Sequence, residues 1–541
     1  MSKLQGPTLT SRQFLIALSL FFTCALNFPF FAKVYGYLWS LPQQHWLFWL
    51  AIPVAVFALF YFLLSLFLLP KIDRGLMALL VLGSAVVSYT EYSFGVIFDH
   101  TMIDNFAETN VAEAKTYFNP SAVFYVSLLG ILPALLLLKI RISYASLGRE
   151  VVSRGAGMLV ALAVFAAIAG SFYKDFASTG RNNQHVHQYL VPNQLIYSVS
   201  KFAALKLKGP STPFKDLTEE VKHAHQFKTP ELLVLVLGET ARAQNFSWDG
   251  YQRDTNHYTR ERDFVNVGAV ESCGTATAVS VPCMFSFLTK KQYSNADSKN
   301  QSNLLDVVSA AGFDVIWIDN NNGCKGVCNR VPHRQIPTDE SNPKCDGNYC
   351  YDSVLIDALA QQLTTPIERD TLIVLHMIGS HGPTYFRRYP PEFRHFVPDC
   401  PRSDIQNCSE EEIINTYDNT ILYSDYVLAK SSELIERARP DSPSMVLYIS
   451  DHGESLGEHG LFLHGMPYGL APVEQKTVPE LIWFSKVLYS EWQLDSECLR
   501  RLPEQNQHSQ DNLSHTVLGL LNIAAPIYDA QLDDISPCRH S

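Results

Sequence analysis

The sequence predicts two parts: an α-helical membrane domain of five spans, then an exported α/β domain with a mainly parallel central sheet covered by helices. Three observations lead there. Five long apolar stretches precede residue 175, short apolar runs alternate with helical patterns after about residue 230, and ten of the eleven cysteines lie beyond residue 270. The composition is 47% apolar, 12% aromatic and only 18% charged over 541 residues, which excludes a disordered chain and a coiled coil. A net charge of −11 offers no basic stripe for general nucleic-acid binding.

The apolar stretches cover residues 14–31, 46–69, 76–98, 121–138 and 156–172. Each is close to the ~20 residues that cross a bilayer as a helix. The third is interrupted by Tyr89, Glu91 and Tyr92 and is expected to end early, continuing as an exposed helix. The first reads as an uncleaved anchor, since no Ala-x-Ala site follows it. Lys3, Arg12, Lys71, Arg74, Lys139, Arg141, Arg149 and Arg154 fall on one side of these spans, against Lys33 and Lys115 on the other. The positive-inside rule then puts the N-terminus in the cytoplasm and everything after about residue 175 outside it.

Cysteine usage tests that orientation independently, because an even number of cysteines in an exported region implies disulfides. Spacing suggests Cys273 with Cys283, Cys324 with Cys328, Cys345 with Cys350, Cys400 with Cys408, and Cys498 with Cys538. A four-cysteine zinc site from Cys324, Cys328, Cys345 and Cys350 is the competing reading, disfavoured by the oxidising compartment. The chain divides into a membrane domain (1–175), a linker with an amphipathic surface helix near 194–207 (176–229) and a catalytic domain (230–541).

In that last region, 232–237, 314–318, 372–375 and 446–449 are continuous apolar runs, as expected of strands covered on both faces. Residues 304–311, 354–363 and 419–438 read as the helices between them. Each strand is followed by polar groups: Gly238-Glu239-Thr240, Asp319-Asn320-Asn321-Asn322, His376 with His381-Gly382-Pro383, and Ser450-Asp451-His452-Gly453-Glu454. In a parallel sheet the carboxyl ends share one edge, where ligands bind. Glu239, Asp451 and His452 form an oxygen-plus-imidazole set suited to zinc, with His381 and His464 able to complete or extend it. Singly, each has an ordinary alternative as a helix cap or hydrogen-bonded surface group.

The segment from Ser272 to Cys283 is rich in small residues, and 278–288 can form a helix with Pro282 in its first turns. A hydroxyl there would sit beside unpaired N–H groups that favour phosphate, and a nearby divalent metal would lower its pKa. Chemistry alone leaves Thr275, Thr277 and Ser280 open as the nucleophile.

Gly238-Glu239-Thr240-Ala241-Arg242, the Cys273–Cys283 segment, Gly379-Ser380-His381-Gly382-Pro383, Ser450-Asp451-His452-Gly453-Glu454-Ser455 and Leu463-His464-Gly465 together resemble the bacterial phosphoethanolamine transferases acting on lipid A. That group includes the mobile colistin-resistance enzymes and belongs to the alkaline-phosphatase/sulfatase superfamily. The resemblance implies Thr277 as the nucleophile that becomes phosphoethanolaminated, and Glu239, Thr277, Asp451 and His452 as ligands of one tight zinc, with a second zinc possible. It implies His381 and His464 near the substrate, as further ligands or proton donors to the leaving alkoxide. Asn321, Lys325 and Glu454 match positions around the ethanolamine phosphate, and Asn105, Thr109 and Glu113 match positions that contact the donor headgroup. The i, i+4, i+8 spacing of the last three fits one helical face.

The expected reaction moves phosphoethanolamine from phosphatidylethanolamine to a lipid A phosphate, by a monomer in the bacterial inner membrane with its catalytic domain in the periplasm. The product would carry less negative charge and bind polymyxin and colistin more weakly. Transfer to a core sugar (Kdo or heptose) or a periplasmic glucan is the sister reading. A membrane sulfatase lacks support because Cys273 is followed by Gly274-Thr275-Ala276 rather than a Cys-x-Pro-x-Arg sequence. A non-catalytic zinc receptor is the reading from another class.

Overall fold

The computed structural model describes residues 7–539 except 42–44, 69, 71, 109–110, 184, 209–212, 224–226 and 505–507. Thr109, Lys3 and Lys71 therefore lie outside the described residues, as does the side chain of Glu113. The chain separates into two compact units, one of residues Met1–Ile103 with Phe118–Ala203, the other of Asp104–Tyr117 with Ala204–Ser541.

In the first unit, four helices among the described residues are long and apolar enough to cross a membrane: Trp46–Phe67, Asp73–Phe94, Pro120–Lys139 and Leu147–Ser171. The first apolar stretch is not one straight span. Ser11–Leu26 and Phe28–Trp39 meet at a 59° bend, because Pro29 has no N–H to continue the ladder. Buried Asn27 satisfies the freed backbone there, donating to the carbonyls of Phe22 (2.9 Å) and Val191 (2.6 Å) and accepting from Val191 N–H (3.0 Å). An interrupted helix is tolerated in lipid only where side chains re-satisfy its backbone in this way. The third span stops at Phe94, four residues short of the apolar stretch, because Gly95 adopts φ 71° and caps the helix in the left-handed region. A separate helix, His100–Glu108, follows and carries Asn105. The polar stretch read as a linker holds two helices, Tyr173–Asn182 and Asn193–Lys208, the second coinciding with the amphipathic pattern.

The second unit is built on a seven-stranded sheet of β1 (Leu232–Gly238), β2 (Val265–Glu271), β3 (Asp314–Asp319), β4 (His333–Gln335), β5 (Thr371–His376), β6 (Ser444–Ser450) and β7 (Thr477–Phe484). The strand order is β2-β7-β6-β1-β5-β3-β4. All neighbours from β6 to β4 are parallel, while β7 runs against both β6 and β2. The side chains of β1 and β6 are buried throughout, which is why both read as unbroken apolar runs. β7 hides its strand character behind Pro479 and Glu480, and the register shifts beside them, between Glu480 and Leu481.

Helix Glu410–Ala438 is 29 residues long and starts nine residues before the apolar pattern does. Ser409 and Glu412 close a capping box, and Glu410, Glu411 and Glu412 face the positive end of the helix dipole.

Five disulfides join Cys273–Cys283, Cys324–Cys328, Cys345–Cys350, Cys400–Cys408 and Cys498–Cys538. The last closes a loop with a sequence separation of 40, worth about 4 kcal/mol by chain entropy. Replacing both Cys498 and Cys538 by alanine is expected to lower the urea midpoint of the second unit by the equivalent of about 2–4 kcal/mol. An unchanged midpoint would show that this link does not restrain the unfolded chain.

Glu480 is buried, and its Oε1 has no hydrogen-bond partner among the described residues. Burial first, then the carboxylate of Asp534, pushes it up to about 8, against a smaller opposing effect of His508. An unfolded chain would release that proton near 4.5, so the folded state binds the extra proton in between. The stability from the neutral carboxyl is complete below 4.5 and is lost as pH rises to about 8. Glu480→Gln is expected to remove that decline. Its melting temperature should exceed the parent's by a margin that grows between about pH 5 and about pH 8, and a pH-independent difference would refute the assignment.

Candidate active site

Sheet register sets the site's first layer. Gly238 pairs with Ser450 and Leu237 with His376, and His376 pairs with Asp319. The residues that follow β1, β6 and β5 therefore leave the sheet at one level. Glu239 comes from the first, Asp451 and His452 from the second, and all three are buried. One ligand atom from each lies within 4.8 Å of the others. Backbone bonds fix them: Asp451 N–H donates to Gly238 O (3.1 Å), and Thr240 N–H to Asp451 Oδ1 (3.0 Å). Thr240 takes a left-handed φ of 59° to do so.

Thr277 opens the helix Thr277–Met284, shorter than the expected 278–288. Its Oγ1 lies 3.1 Å from each oxygen of Glu239 and 3.4 Å from His452 Nε2. The rival hydroxyls are placed differently. Thr275 Oγ1 donates to Met466 O (2.6 Å), and Ser280 Oγ is buried without a hydrogen-bond partner among the described residues. The Cys273–Cys283 disulfide brackets the segment. Gln510 ties it to β6: its Oε1 accepts from Cys273 N–H (2.7 Å), and its Nε2 donates to Ser450 O (2.8 Å) and Asp451 O (2.7 Å).

The tautomer of His452 follows from its partners. Nδ1 lies 2.9 Å from Gly453 O, and a carbonyl only accepts, so Nδ1 carries the hydrogen. Nε2 faces Glu239 and Asp451, each 3.4 Å away: protonated, it donates toward them, and with a cation between them it would offer its lone pair. Charges in the cluster pull in opposite directions. Burial raises Asp451, with Glu239 adding to it. Burial would also raise Glu239, but the imidazoles of His452 and His381 hold it well below the usual carboxylate range. His452 is disfavoured as a cation by burial, yet the carboxylates of Asp451 and Glu239 push it up to about 10. The carboxylates thus favour a positive charge at this point even in an apolar setting, and Asp451 Oδ2 is buried with no hydrogen-bond partner among the described residues. Two carboxylates, an imidazole and a hydroxyl with an orphaned oxygen among them fit a divalent cation.

Glu239 is held from behind by residues to which the sequence assigns no role there. Thr240 Oγ1 donates to its Oε1 (2.6 Å) and Asn321 Nδ2 to its Oε2 (2.8 Å). Asn321 also contacts His376 Nε2 (3.2 Å), and His376 Nδ1 lies 2.9 Å from Asp319 Oδ2. Burial opposes the charge on Asp319, but His376 and Trp317 bring it down to about 2. This chain of buried polar groups orients the carboxylate as outer-shell partners orient metal ligands. The one signal of it in the sequence is the position of Asp319 and His376 at strand ends.

His464 and Glu454 form the second layer. Their rings and oxygens are close, with Nδ1 3.3 Å from Glu454 Oε1, and the His464 ring lies 4.4 Å from that of His452 and 5.6 Å from that of His381. Burial, with His452 and His381 as like charges, takes His464 down to about 3, a neutral imidazole. Burial takes Glu454 up to about 8 against the pull of His452 and His381. Lys325 sits on the loop that follows β3, at a left-handed φ of 52°. It lines a cleft of about 430 Å³ with Pro282, Lys299, Asn322 and Arg330, and its Nζ donates to Asn322 O (3.2 Å).

Known proteins resemble the chain over most of its length. A family model described as phosphoethanolamine transferase EptA/EptB matches residues 56–207, and one described as sulfatase matches 231–523. Phosphoethanolamine transferase EptA of Escherichia coli (strain K12) is 38% identical over 541 residues, 99% of this chain and 98% of that protein. Phosphatidylethanolamine transferase Mcr-1 of Escherichia coli is 37% identical over 425 residues, 76% of this chain and 78% of its own. The solved structure of the integral membrane protein lipooligosaccharide phosphoethanolamine transferase A (EptA) from Neisseria meningitidis matches with a TM-score of 0.94 at 36% identity, over 99% of this chain and 100% of that one. A membrane portion and a sulfatase-type sheet in one chain, matched at full length, make this protein a member of the phosphoethanolamine transferase EptA/EptB family.

Proposed function

We propose that the chain transfers phosphoethanolamine from phosphatidylethanolamine to a phosphate of lipid A through a phosphoethanolaminated Thr277. The observation that carries this reading is the placement of Thr277 Oγ1 at a helix N-terminus, 3.1 Å from both oxygens of Glu239. Glu239, Thr277, Asp451 and His452 would hold zinc. Bound there, zinc would lower the pKa of the threonine hydroxyl and offset negative charge on the phosphoryl group.

Glu239 is placed to accept the Thr277 proton. The first-turn N–H groups of the helix offer donors to the phosphoryl oxygens. Thr277 Oγ bonds to phosphorus as the P–O bond to diacylglycerol breaks, and His381 gives the departing alkoxide its proton, with the neutral His464 beside it as a hydrogen-bond partner. A lipid A phosphate oxygen then bonds to the same phosphorus, the P–Oγ bond breaks, and Thr277 regains a proton. Glu454, Asn321 and Lys325 are assigned to the donor's ethanolamine phosphate, and Asn105, Thr109 and Glu113 to its headgroup on approach.

Both substrates are lipids, which suits a catalytic unit carried on membrane helices. The basic-residue bias favours a cytoplasmic N-terminus and a periplasmic catalytic domain in the inner membrane, and five disulfides suit that compartment. Added ethanolamine offsets lipid A phosphate charge and weakens binding of cationic peptides such as polymyxin and colistin. The test is mass spectrometry of lipid A from bacteria expressing the chain. A gain of one phosphoethanolamine unit is expected. No gain, with the protein folded in the membrane, would overturn lipid A as acceptor, and the same unit would then be sought on core sugars and glucans.

A further inference from the structure

A second cluster of ligating side chains lies at the other end of the same sheet. Glu231 immediately precedes β1 and Asp370 immediately precedes β5, and those strands begin in register, Leu232 against Thr371. His223 arrives from outside the sheet on the short strand Lys222–His223, which pairs antiparallel with Ile523–Ala524. The seven residues of β1 separate Glu231 from Glu239, eight steps or roughly 25 Å at the strand rise. The two clusters therefore share no ligand.

We propose that His223, Glu231 and Asp370 form a second divalent-cation site, of zinc-like preference, that fastens the segment entering the catalytic unit to the amino-terminal edge of the sheet. One ligand atom from each residue lies within 4.8 Å of the others. Glu231 is completely buried, and neither of its oxygens has a well-aligned hydrogen-bond partner among the described residues. His223 Nε2 is 3.1 Å from Glu231 Oε1, yet it too has no well-aligned hydrogen-bond partner among the described residues. Atoms that close without a hydrogen bond are out of line with each other, as ligands are when their lone pairs address a third point.

The rest of the pocket suits a cation. Asp370 is held by accepting Glu231 N–H at Oδ1 (2.8 Å), which leaves Oδ2 3.3 Å from His223 Nδ1. The ring of Phe313 walls the imidazole at 5.0 Å. Two carboxylates face one imidazole, and the nearby guanidinium groups are engaged elsewhere: Arg439 donates to Pro230 O and Arg539 pairs with Asp533. One histidine with two carboxylates is a ligand set that zinc accepts, with water completing its shell. The competing arrangement is a metal-free imidazolium with one nitrogen against each carboxylate.

The full-length protein in detergent is stripped with chelator, dialysed with Zn2+ and counted for zinc by elemental mass spectrometry. His223→Ala and Asp370→Asn are each expected to hold about one zinc fewer per chain than the parent. Combining either with Asp451→Asn should remove one more. Asp370→Asn guards against misfolding, since the asparagine oxygen can still accept Glu231 N–H, and its transfer activity should remain. Unchanged zinc in both folded variants would overturn the site in favour of the imidazolium bridge. Loss of zinc in Asp370→Asn but not in Asp451→Asn would support the second site and count against the catalytic one, so the two readings fail separately.

Discussion

Thr277→Ala is expected to abolish transfer, by on the order of 10⁴-fold or more, while the protein remains folded and in the membrane. The argument is positional. Among the three hydroxyls of the Ser272–Cys283 segment that could serve, Thr277 alone contacts the acidic cluster, at 3.1 Å from both Glu239 oxygens. Thr275 is committed to Met466 O, and Ser280 faces the interior. Alanine keeps the helix start, because the methyl group of threonine is not what orients Glu239. That carboxylate is still held by Thr240 and Asn321. Thr277→Ser should retain measurable transfer, since its hydroxyl can occupy the same place. Two readouts check this: the rate of transfer from phosphatidylethanolamine, and the intact mass of the protein after donor alone. A phosphoethanolamine adduct should appear on the parent and be absent from Thr277→Ala. An adduct that survives in the alanine variant would move the nucleophile elsewhere.

The second large effect is expected from Gly453→Ala, a change of one methyl group. A Cβ at Gly453 would lie 2.0 Å from the backbone oxygen of Glu474 and 3.0 Å from its carbonyl carbon. Neither atom can rotate away as a side-chain tip would. The glycine is pinned from both sides, since Gly453 N–H donates to Gln475 O (3.2 Å) and Glu454 N–H to Glu474 O (2.9 Å). Its own carbonyl receives His452 Nδ1–H. The backbone must therefore shift at the point that sets the His452 tautomer, and His452 and Glu454 move with it. A loss of about 3 kcal/mol or more of stability is expected for forced overpacking of this kind, with transfer reduced by at least about 100-fold for ångström-scale misplacement. Gly469→Ala is the matched control: an added Cβ there meets nothing within 4 Å, and activity and melting temperature should stay near the parent's. Equal behaviour of the two variants would show that the Gly453 backbone has room to yield.

Much of the fold and of the site is legible in the amino-acid sequence. The membrane helices declare themselves by length and apolarity, and β1 and β6 by unbroken burial on both faces, which leaves no polar alternation to confuse them. Four short cysteine spacings suggest local pairs, and Cys498 with Cys538 is what remains. Glu239 and Asp451-His452 stand out as polar groups directly after apolar strands. The sequence is less informative where an element's character is set by its neighbours. β7 carries Pro479 and Glu480, residues that argue against a strand, and it forms because β2 and β6 offer edges on either side. The first membrane helix reads as continuous, yet it bends at Asn27 because a carbonyl 164 residues later satisfies the break.

Side-chain type and strand-end position are local properties, and they mark the candidate residues in the sequence while leaving Thr275, Thr277 and Ser280 open as the nucleophile. Tertiary structure alone decided which of them meet. That β6 lies beside β1 puts Asp451 against Glu239, 212 residues apart in the chain, and that β5 lies on the other side delivers His376 and, through β3, Asp319 behind Asn321. The same holds for Gln510, which joins the nucleophile segment to β6 from a helix near the C-terminus, and for His223 beside Glu231 and Asp370. Strand order and helix docking are properties of the packed core, fixed by which apolar faces bury one another, and no local pattern in the chain encodes those distances.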